Sequence, residues 1–255
     1  ASDLGGEKFM DIVCRESGFR PDCVVIVASI RALMTHGGAK LDDPSTITED
    51  ALRKGLCNLD KHIENMSSYG VPVVVAANRF AHDTQAEMDI VLEHCRELGV
   101  RCAFSEAFSK GGEGAEELAR TVLDALENET TDFHCLYPVD APIKDKIEAV
   151  ARNIYGAGSV TYTKEAEKSI AQMEKDGYGN LPVCIAKTQA SLTDDSKVKG
   201  APRGWTLSVR EVQLSAGAGF VVPVCGTLTL MPGLPLVPAA MRMDLLDDGR
   251  IVGLK

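Results

Sequence analysis

Short, unbroken apolar runs separated by helix-patterned stretches constrain the first half of this chain more than any other feature. Residues 22–30 (DCVVIVASI) and 71–77 (VPVVVAA) are continuous and rich in β-branched side chains, and residues 100–104 (VRCAF) make a third such run. A strand that is apolar without alternation has both faces covered, as in a parallel sheet. Between the first two runs Leu52, Leu56, Leu59, Ile63 and Met66 recur at helical spacing. That helix is expected to open within residues 44–48, with Thr46 and Glu49 at capping-box spacing, and to stop at Gly70. Thr84 and Glu87 repeat the spacing before a second stripe, Met88, Val91, Leu92 and Cys95, which ends at Gly99. Residues 111–127 read as a third helix. Strands alternating with helices over these lengths predict βαβ units.

The polar string at 128–132 (NETTD) breaks this rhythm, so a boundary is expected there, between domains 1–130 and 131–255. Beyond it, residues 142–155 predict a helix with Ile143, Ile147, Val150 and Ile154 inward. A second helix is expected at 163–175, with Thr163 as its N-cap. Strands are expected at 182–187, 205–211, 220–229 and near 250–254, and DDGR (247–250) reads as a hairpin turn. The fold class is therefore α/β: a parallel sheet of βαβ units, followed by a smaller α/β domain rich in strands.

A chain of 255 residues with 45% apolar content can bury a sizeable core. A net charge of −10 argues against nucleic acid or an anionic membrane as partner. Its apolar runs are far shorter than the roughly 20 residues a bilayer span requires, and residues 1–11 lack the pattern of a secretory signal. The eight cysteines (14, 23, 57, 95, 102, 135, 184 and 225) include no CxxC pair, which points to free thiols. A reducing, cytoplasmic compartment follows, and an organelle matrix fits equally. The five histidines form no HxxH or HExxH pair, so no metal site is expected, and His62 and His94 are placed on helix surfaces or edges. GxxxxGK[ST] and GxSxG are both missing, and no residue reads as catalytic.

Ligands of parallel sheets sit beyond the carboxyl ends of the strands, which here means residues 78–83 and 105–110. Phe80 and Phe108 follow buried strands, with Asn78 and Phe104 close by. Two aromatic faces there suit a flat heterocycle, or they plug a gap between domains. Lys187, Thr188 and Gln189 end a strand with a cation and two hydrogen-bonding groups, which suits a carboxylate, phosphate or amide ligand. A strand running into a polar loop would look the same. GGEG (111–114) is either an anion-holding helix start or a tight turn. SAGAG (215–219) allows a bulge, an interdomain crossing or ligand contact, and MPGLP (231–235) composes a rigid turn.

Taken in order, GGEKF (5–9), RALMTHGG (31–38), VPVVVAANRF (71–80), SKGGEG (109–114), LPVCIAKTQ (181–189), SVREVQLSAGAGF (208–220) and MPGLP closely resemble the formate–tetrahydrofolate ligase family. The resemblance runs the length of the chain. It implies ATP-dependent ligation in which formate is activated as formyl phosphate and then attacked by N10 of tetrahydrofolate. Mg²⁺ and a monovalent cation (K⁺ or NH₄⁺) accompany ATP, and the assembly is a homotetramer. It further implies that the pterin ring stacks between Phe80 and Phe108, where relatives commonly carry Trp at the second position and Pro in place of Ala81. Family members are longer, with their phosphate loop in an N-terminal portion. The expectation is that this chain corresponds to the C-terminal part, supplies folate-site walls and needs the N-terminal portion as partner. A non-catalytic pterin-binding or interaction module is the alternative.

Overall fold

The chain opens on a helical run, α1 (Ser2–Lys8), a wider π-helical turn over Phe9–Cys14, and α2 (Arg15–Ser17), closed by Gly18 at φ 73°. In this computed structural model, which describes residues 2–228 and 236–253, the run leads into β1 (Val24–Ser29). Then follow α3 (Ile30–His36), α4 (Glu49–Ser67), β2 (Val73–Asn78), α5 (Gln85–Glu97), β3 (Arg101–Ser105), the short α6 (Ala107–Lys110) and α7 (Glu116–Asn128). The three strands are parallel in the order β1-β2-β3. β2 is buried along Val73–Ala77, which accounts for its unbroken apolar sequence.

Helix starts follow local capping chemistry. Thr84 and Glu87 form the full reciprocal capping box of α5. The α4 start differs from expectation: the cap is Thr48, whose hydroxyl accepts from the Ala51 amide. Pro44–Thr46 is a separate 3-10 turn in which Thr46 bonds the Lys40 and Asp43 carbonyls. α3 was not foreseen, because residues 30–36 are too few to show a helical period. It crosses α4 at very short range. A Cβ on Gly55 would lie 1.8 Å from the Leu33 carbonyl oxygen, and one on Gly37 would lie 1.7 Å from that of Ala51. Gly37 has an ordinary φ of −86°, so what the glycine provides is space. This crossing gives Gly37 of RALMTHGG a packing role, whereas Gly38, at φ 101°, has open space around it.

The later part of the chain holds α8 (Ile143–Asn153), β4 (Ala157–Tyr162), α9 (Lys164–Lys175), β5 (Trp205–Ser215) and β6 (Phe220–Cys225). Thr163 caps α9 as expected, accepting from Ala166. The sheet runs β4-β5-β6, parallel then antiparallel. β4 escaped the sequence reading because its residues are mostly exposed and glycine-containing. Residues 182–187, expected as a strand, form only isolated parallel bridges, Val183 to Val221 and Ala186 to Val224. Amides of Val221, Cys184, Ala186 and Cys225 bond across that edge, but Pro223 has no N–H to continue the ladder. SAGAG is the β5–β6 hairpin turn, with Gly219 at φ 76°. DDGR turns between β7 (Asp244–Leu245) and β8 (Ile251–Val252) as expected. MPGLP and the ends of two expected strands lie outside the described residues.

One apolar cluster, running from Met10 and Cys14 through Val75, Ile147 and Val209 to Cys225, joins the two sheets. All eight cysteines are free, and no helix of the described residues is long and apolar enough to cross a membrane. The glycine crossing yields a prediction. Gly55→Ala should destabilise the protein by about 2 kcal/mol or more, since backbone rather than a movable side chain meets the new methyl; urea unfolding of the two chains measures it.

Candidate functional site

At the carboxyl edge of the parallel sheet the apolar runs give way together, for Ser29, Asn78 and Ser105 stand in register across β1, β2 and β3. The chain leaving β2 is fixed at once. Arg79 donates its amide to the Ser105 carbonyl at 2.9 Å, and Phe80 donates its own to Asp83 Oδ2 at 2.8 Å. Asp83 is buried, and its Oδ1 has no hydrogen-bond partner among the described residues. This turn holds the Phe80 ring outward, 37% exposed. The His82 ring lies nearly parallel to it, with 11° between planes and centroids 6.4 Å apart.

Beyond β3, Phe108 stands on α6 and is 88% exposed. Lys110 is paired with Glu106 at 2.7 Å, which holds the Glu106 carboxyl below the usual range. GGEG is a tight turn: Gly114 accepts the Glu106 amide, and a Cβ on it would lie 2.5 Å from the Glu106 carbonyl. Phe104 shares the sheet face of Ala77 and Ala28. It packs on the core and lines a groove of about 760 Å³ with Leu92, Val100 and Cys102.

The Lys187–Gln189 segment is divided. Lys187 is buried, with Nζ 2.7 Å from Asp3 Oδ2, 2.6 Å from the Ser191 carbonyl and 3.2 Å from that of Thr188. The ammonium also sits 4.6 Å above the centre of the Tyr155 ring. Thr188 is half-buried and its hydroxyl accepts from Ala190, while Gln189 is exposed.

A family model for formate–tetrahydrofolate ligase matches residues 1–255. The chain is 52% identical over 259 residues to the formate–tetrahydrofolate ligase of Haloquadratum walsbyi, a match covering 99% of this chain and 45% of that protein. The chain belongs to the formate–tetrahydrofolate ligase family. It spans about half the length of that relative.

Within this ligase-family chain, Lys187, expected either to meet a ligand or to end a strand running into a polar loop, directs its ammonium to internal acceptors. The reason lies in residues the sequence reading passed over. Asp3, Glu7 and Asp11 recur every four residues and are all buried. Asp3 meets Lys187. Glu7 accepts from Lys8 at 2.8 Å and from the Tyr155 hydroxyl at 3.1 Å. Asp11 accepts from the Tyr69 hydroxyl and the Leu136 amide, both at 2.8 Å. Burial raises Asp11 and pushes Glu7 up to about 7. Three acids at helical spacing among apolar residues were the available signal. The two helix histidines, expected at surfaces or edges, are both half-buried: His62 is pushed down to about 4 by burial, and His94 bonds Asp60 at 2.5 Å.

Neither glycine-rich GGEG nor the start of α7 forms a cradle for nucleotide phosphates. GGEG closes on Glu106, and α7 opens with Glu116 and Glu117, whose charges oppose an anion at its N-terminus. No three His, Cys, Asp or Glu side chains among the described residues gather as metal ligands. What the tips present is exposed aromatic surface edged by polar groups.

Two predictions come from the buried acids. Lys187→Met removes the donor to the buried Asp3 carboxylate and to the Ser191 and Thr188 carbonyls and should cost about 1–3 kcal/mol of stability, read by urea unfolding; a change near zero would mean that these bonds do not hold the side chain inward. Glu7 has a folded pKa of about 7 against 4.5 for the free side chain. The folded chain therefore binds more protons between those values, and stability falls as pH rises through that window. His62, pushed down to about 4, gains stability over nearly the same range and offsets this loss in the wild type. The measurement is therefore the difference between thermal melts of the wild type and Glu7→Gln from pH 4 to 8, which should shift by about 1–3 kcal/mol in favour of the variant as pH rises.

Proposed function

We propose that this chain is part of an enzyme that ligates formate to tetrahydrofolate with ATP, giving 10-formyltetrahydrofolate through formyl phosphate, and that its share is the folate wall. Family membership along all 255 residues supports the reaction. The site assignment rests on one observation: Phe80 and Phe108 stand exposed after two neighbouring parallel strands, where the core offers neither ring a place.

In this reading residues 1–130 belong to the nucleotide- and folate-binding domain, and residues 131–255 form a smaller domain. Phe80, pinned through its amide by Asp83, offers one fixed stacking face for the pterin. Phe108 closes from the other side, and stacking of this kind contributes about 0.5–1.5 kcal/mol per ring pair. Asn78, at the end of β2, supplies a polar group beside the stack, and Thr188 and Gln189 stand as further contacts for the substrate. Phe104 supports the β3 tip from within.

Since GGEG and the start of α7 form no cradle for phosphates, no phosphoryl step is assigned to them. ATP, Mg²⁺ and the monovalent cation, K⁺ or NH₄⁺, belong on the part of the ligase this chain does not span. The N-terminal portion of the same enzyme is then an obligate partner. The assembled enzyme is a cytoplasmic homotetramer.

The test is reconstitution. The 255-residue chain alone should form no ADP from ATP, formate and tetrahydrofolate. Co-expressed with the rest of a family ligase, it should yield 10-formyltetrahydrofolate, and Phe80→Ala in that assembly should weaken tetrahydrofolate binding about fivefold or more, equivalent to roughly 1 kcal/mol. Pterin binding by an assembly that makes no product would favour a binding module over an enzyme. Unchanged tetrahydrofolate affinity in a folded Phe80→Ala assembly would remove Phe80 from the site.

A further inference from the structure

The free thiols are not equally placed. Cys14 and Cys135 line one shallow pocket of about 230 Å³, together with Arg15, Phe19, Arg20 and His134. Their nearness is fixed by the backbone around them. Leu136 donates its amide to Asp11 Oδ1 at 2.8 Å, and Arg15 donates to the Tyr137 carbonyl at 2.7 Å, so residues 135–137 run along the first helical segment. The Cys135 thiol donates to the Met10 carbonyl at 3.7 Å. Met10 and Cys14 stand about one turn apart on the same side of that segment. The Cys135 sulfur therefore lies against the turn that carries Cys14.

The two thiols differ in access and in charge. Cys14 is buried, whereas Cys135 is half-buried and exposed Arg20 stands at the pocket mouth. Burial raises the Cys14 thiol, and the neighbouring Cys135 adds to that. Burial raises Cys135 as well, but the guanidinium groups of Arg15 and Arg20 work against it. Two cations beside a reachable sulfur suit an anionic reagent. The pocket lies on the amino-terminal side of the parallel sheet, since Arg20 precedes β1 and Asp132 bonds Gly70 ahead of β2. It is thus separate from the aromatic surface at the strand tips.

We propose that Cys14 and Cys135 form a thiol-exchange site for small anionic disulfides and close into an internal disulfide. A carboxylate-bearing disulfide of the glutathione type enters beside Arg15 and Arg20. The Cys135 thiol gives its proton to solvent, and its sulfur attacks one sulfur of the reagent. The S–S bond of the reagent breaks, and its other half leaves as a thiolate that takes up a proton. Cys14 then loses its proton and attacks the Cys135 sulfur of the mixed disulfide, so that the Cys14–Cys135 bond forms and the second small thiol leaves. The two cysteines give up two electrons, and one small disulfide is reduced to two thiols. The cross-link closes a loop that contains the whole parallel sheet, which strongly constrains the unfolded chain.

The test incubates the 255-residue chain with reduced and oxidised glutathione in equal amounts and maps disulfides by mass spectrometry of non-reduced tryptic peptides. Cys14 joined to Cys135 should be the main internal disulfide. The urea midpoint should rise as it forms and return on adding dithiothreitol. Cys14→Ala should leave glutathione on Cys135 as a stable mixed disulfide, because the second attacking thiol is gone. Arg20→Ala should slow modification of Cys135 by glutathione disulfide about threefold or more, measured against the exposed Cys57, and should not slow its modification by cystamine, which is positively charged. No linked pair in a chain whose Cys57 is fully modified would overturn the proposal. So would a different pair, such as Cys95 with Cys102, forming in its place, or a Cys14→Ala chain with an unchanged urea midpoint that takes no glutathione at Cys135. Equal effects of Arg20→Ala on both reagents would overturn the preference for an anion.

Discussion

The buried acids of the first helical run tie residues after 130 to the first part of the chain, alongside the shared apolar cluster and the bonds of Asn58 and Lys61 on α4 to the Gly200 and Asn153 carbonyls. Asp3 holds Lys187 beneath the second sheet, Glu7 holds Tyr155 at the end of α8, and Asp11 holds Tyr69 below α4 and the backbone at Leu136. Arg15 continues the row, donating to the Tyr137 carbonyl at 2.7 Å and lying over that ring. Buried charge is a poor source of net stability, because desolvation offsets most of the attraction. Its value here is selective. Apolar surfaces of this area could slide by a residue with little penalty, whereas a shifted helix would strand three acids and a lysine without partners, each at a cost of a few kcal/mol. The ladder sets which arrangement of the two sheets is the native one.

That constraint also decides which polar groups the scaffold uses. Lys187 is engaged in the ladder, whereas next to it Thr188 is half-buried and Gln189 exposed. The strand tips carry no comparable burden. Ser29, Asn78 and Ser105 end their strands in register; Ser29 passes directly into α3, and the segments beyond Asn78 and Ser105 are short and self-bonded. Rigid scaffold and exposed display are thereby separated along the chain.

The repeating elements were legible and the singular ones were not. β2 declared itself because burial on both faces demands an unbroken apolar run, β1 by the same kind of run although Val25 and Val27 are exposed, and α4, α5, α8 and α9 because one buried stripe demands a period. α3 and β4 gave no such signal: one is two turns long, the other largely exposed. Pro223 shows a limit of a different kind, since a single missing donor in β6 reduces its neighbour at 182–187 to isolated bridges, a consequence visible only once the pairing is known. The exposed rings Phe80 and Phe108 could be placed beyond strand ends, but nothing in the spacing of Asp3, Glu7 and Asp11 says what each acid meets, because Lys187, Tyr155 and Tyr69 lie far away along the chain.

The two aromatic walls are unequal, and the inequality has consequences for binding. Phe80 is held by a turn whose bonds run in both directions, Phe80 amide to the Asp83 carboxylate and Asp83 amide to the Phe80 carbonyl, and the flat His82 ring limits its rotation from one side. Phe108 projects from a four-residue helix ended by Gly111 at φ 60°, with most of its ring in solvent. A ligand stacking on Phe80 meets a surface already in place. One stacking on Phe108 must first order the side chain, at about 0.5–1.5 kcal/mol, which is the same range as the stacking gain itself. In the folate site proposed above, discrimination between flat ligands would therefore fall to Phe80, and Phe108 would add contact area only where a neighbouring segment restrains it.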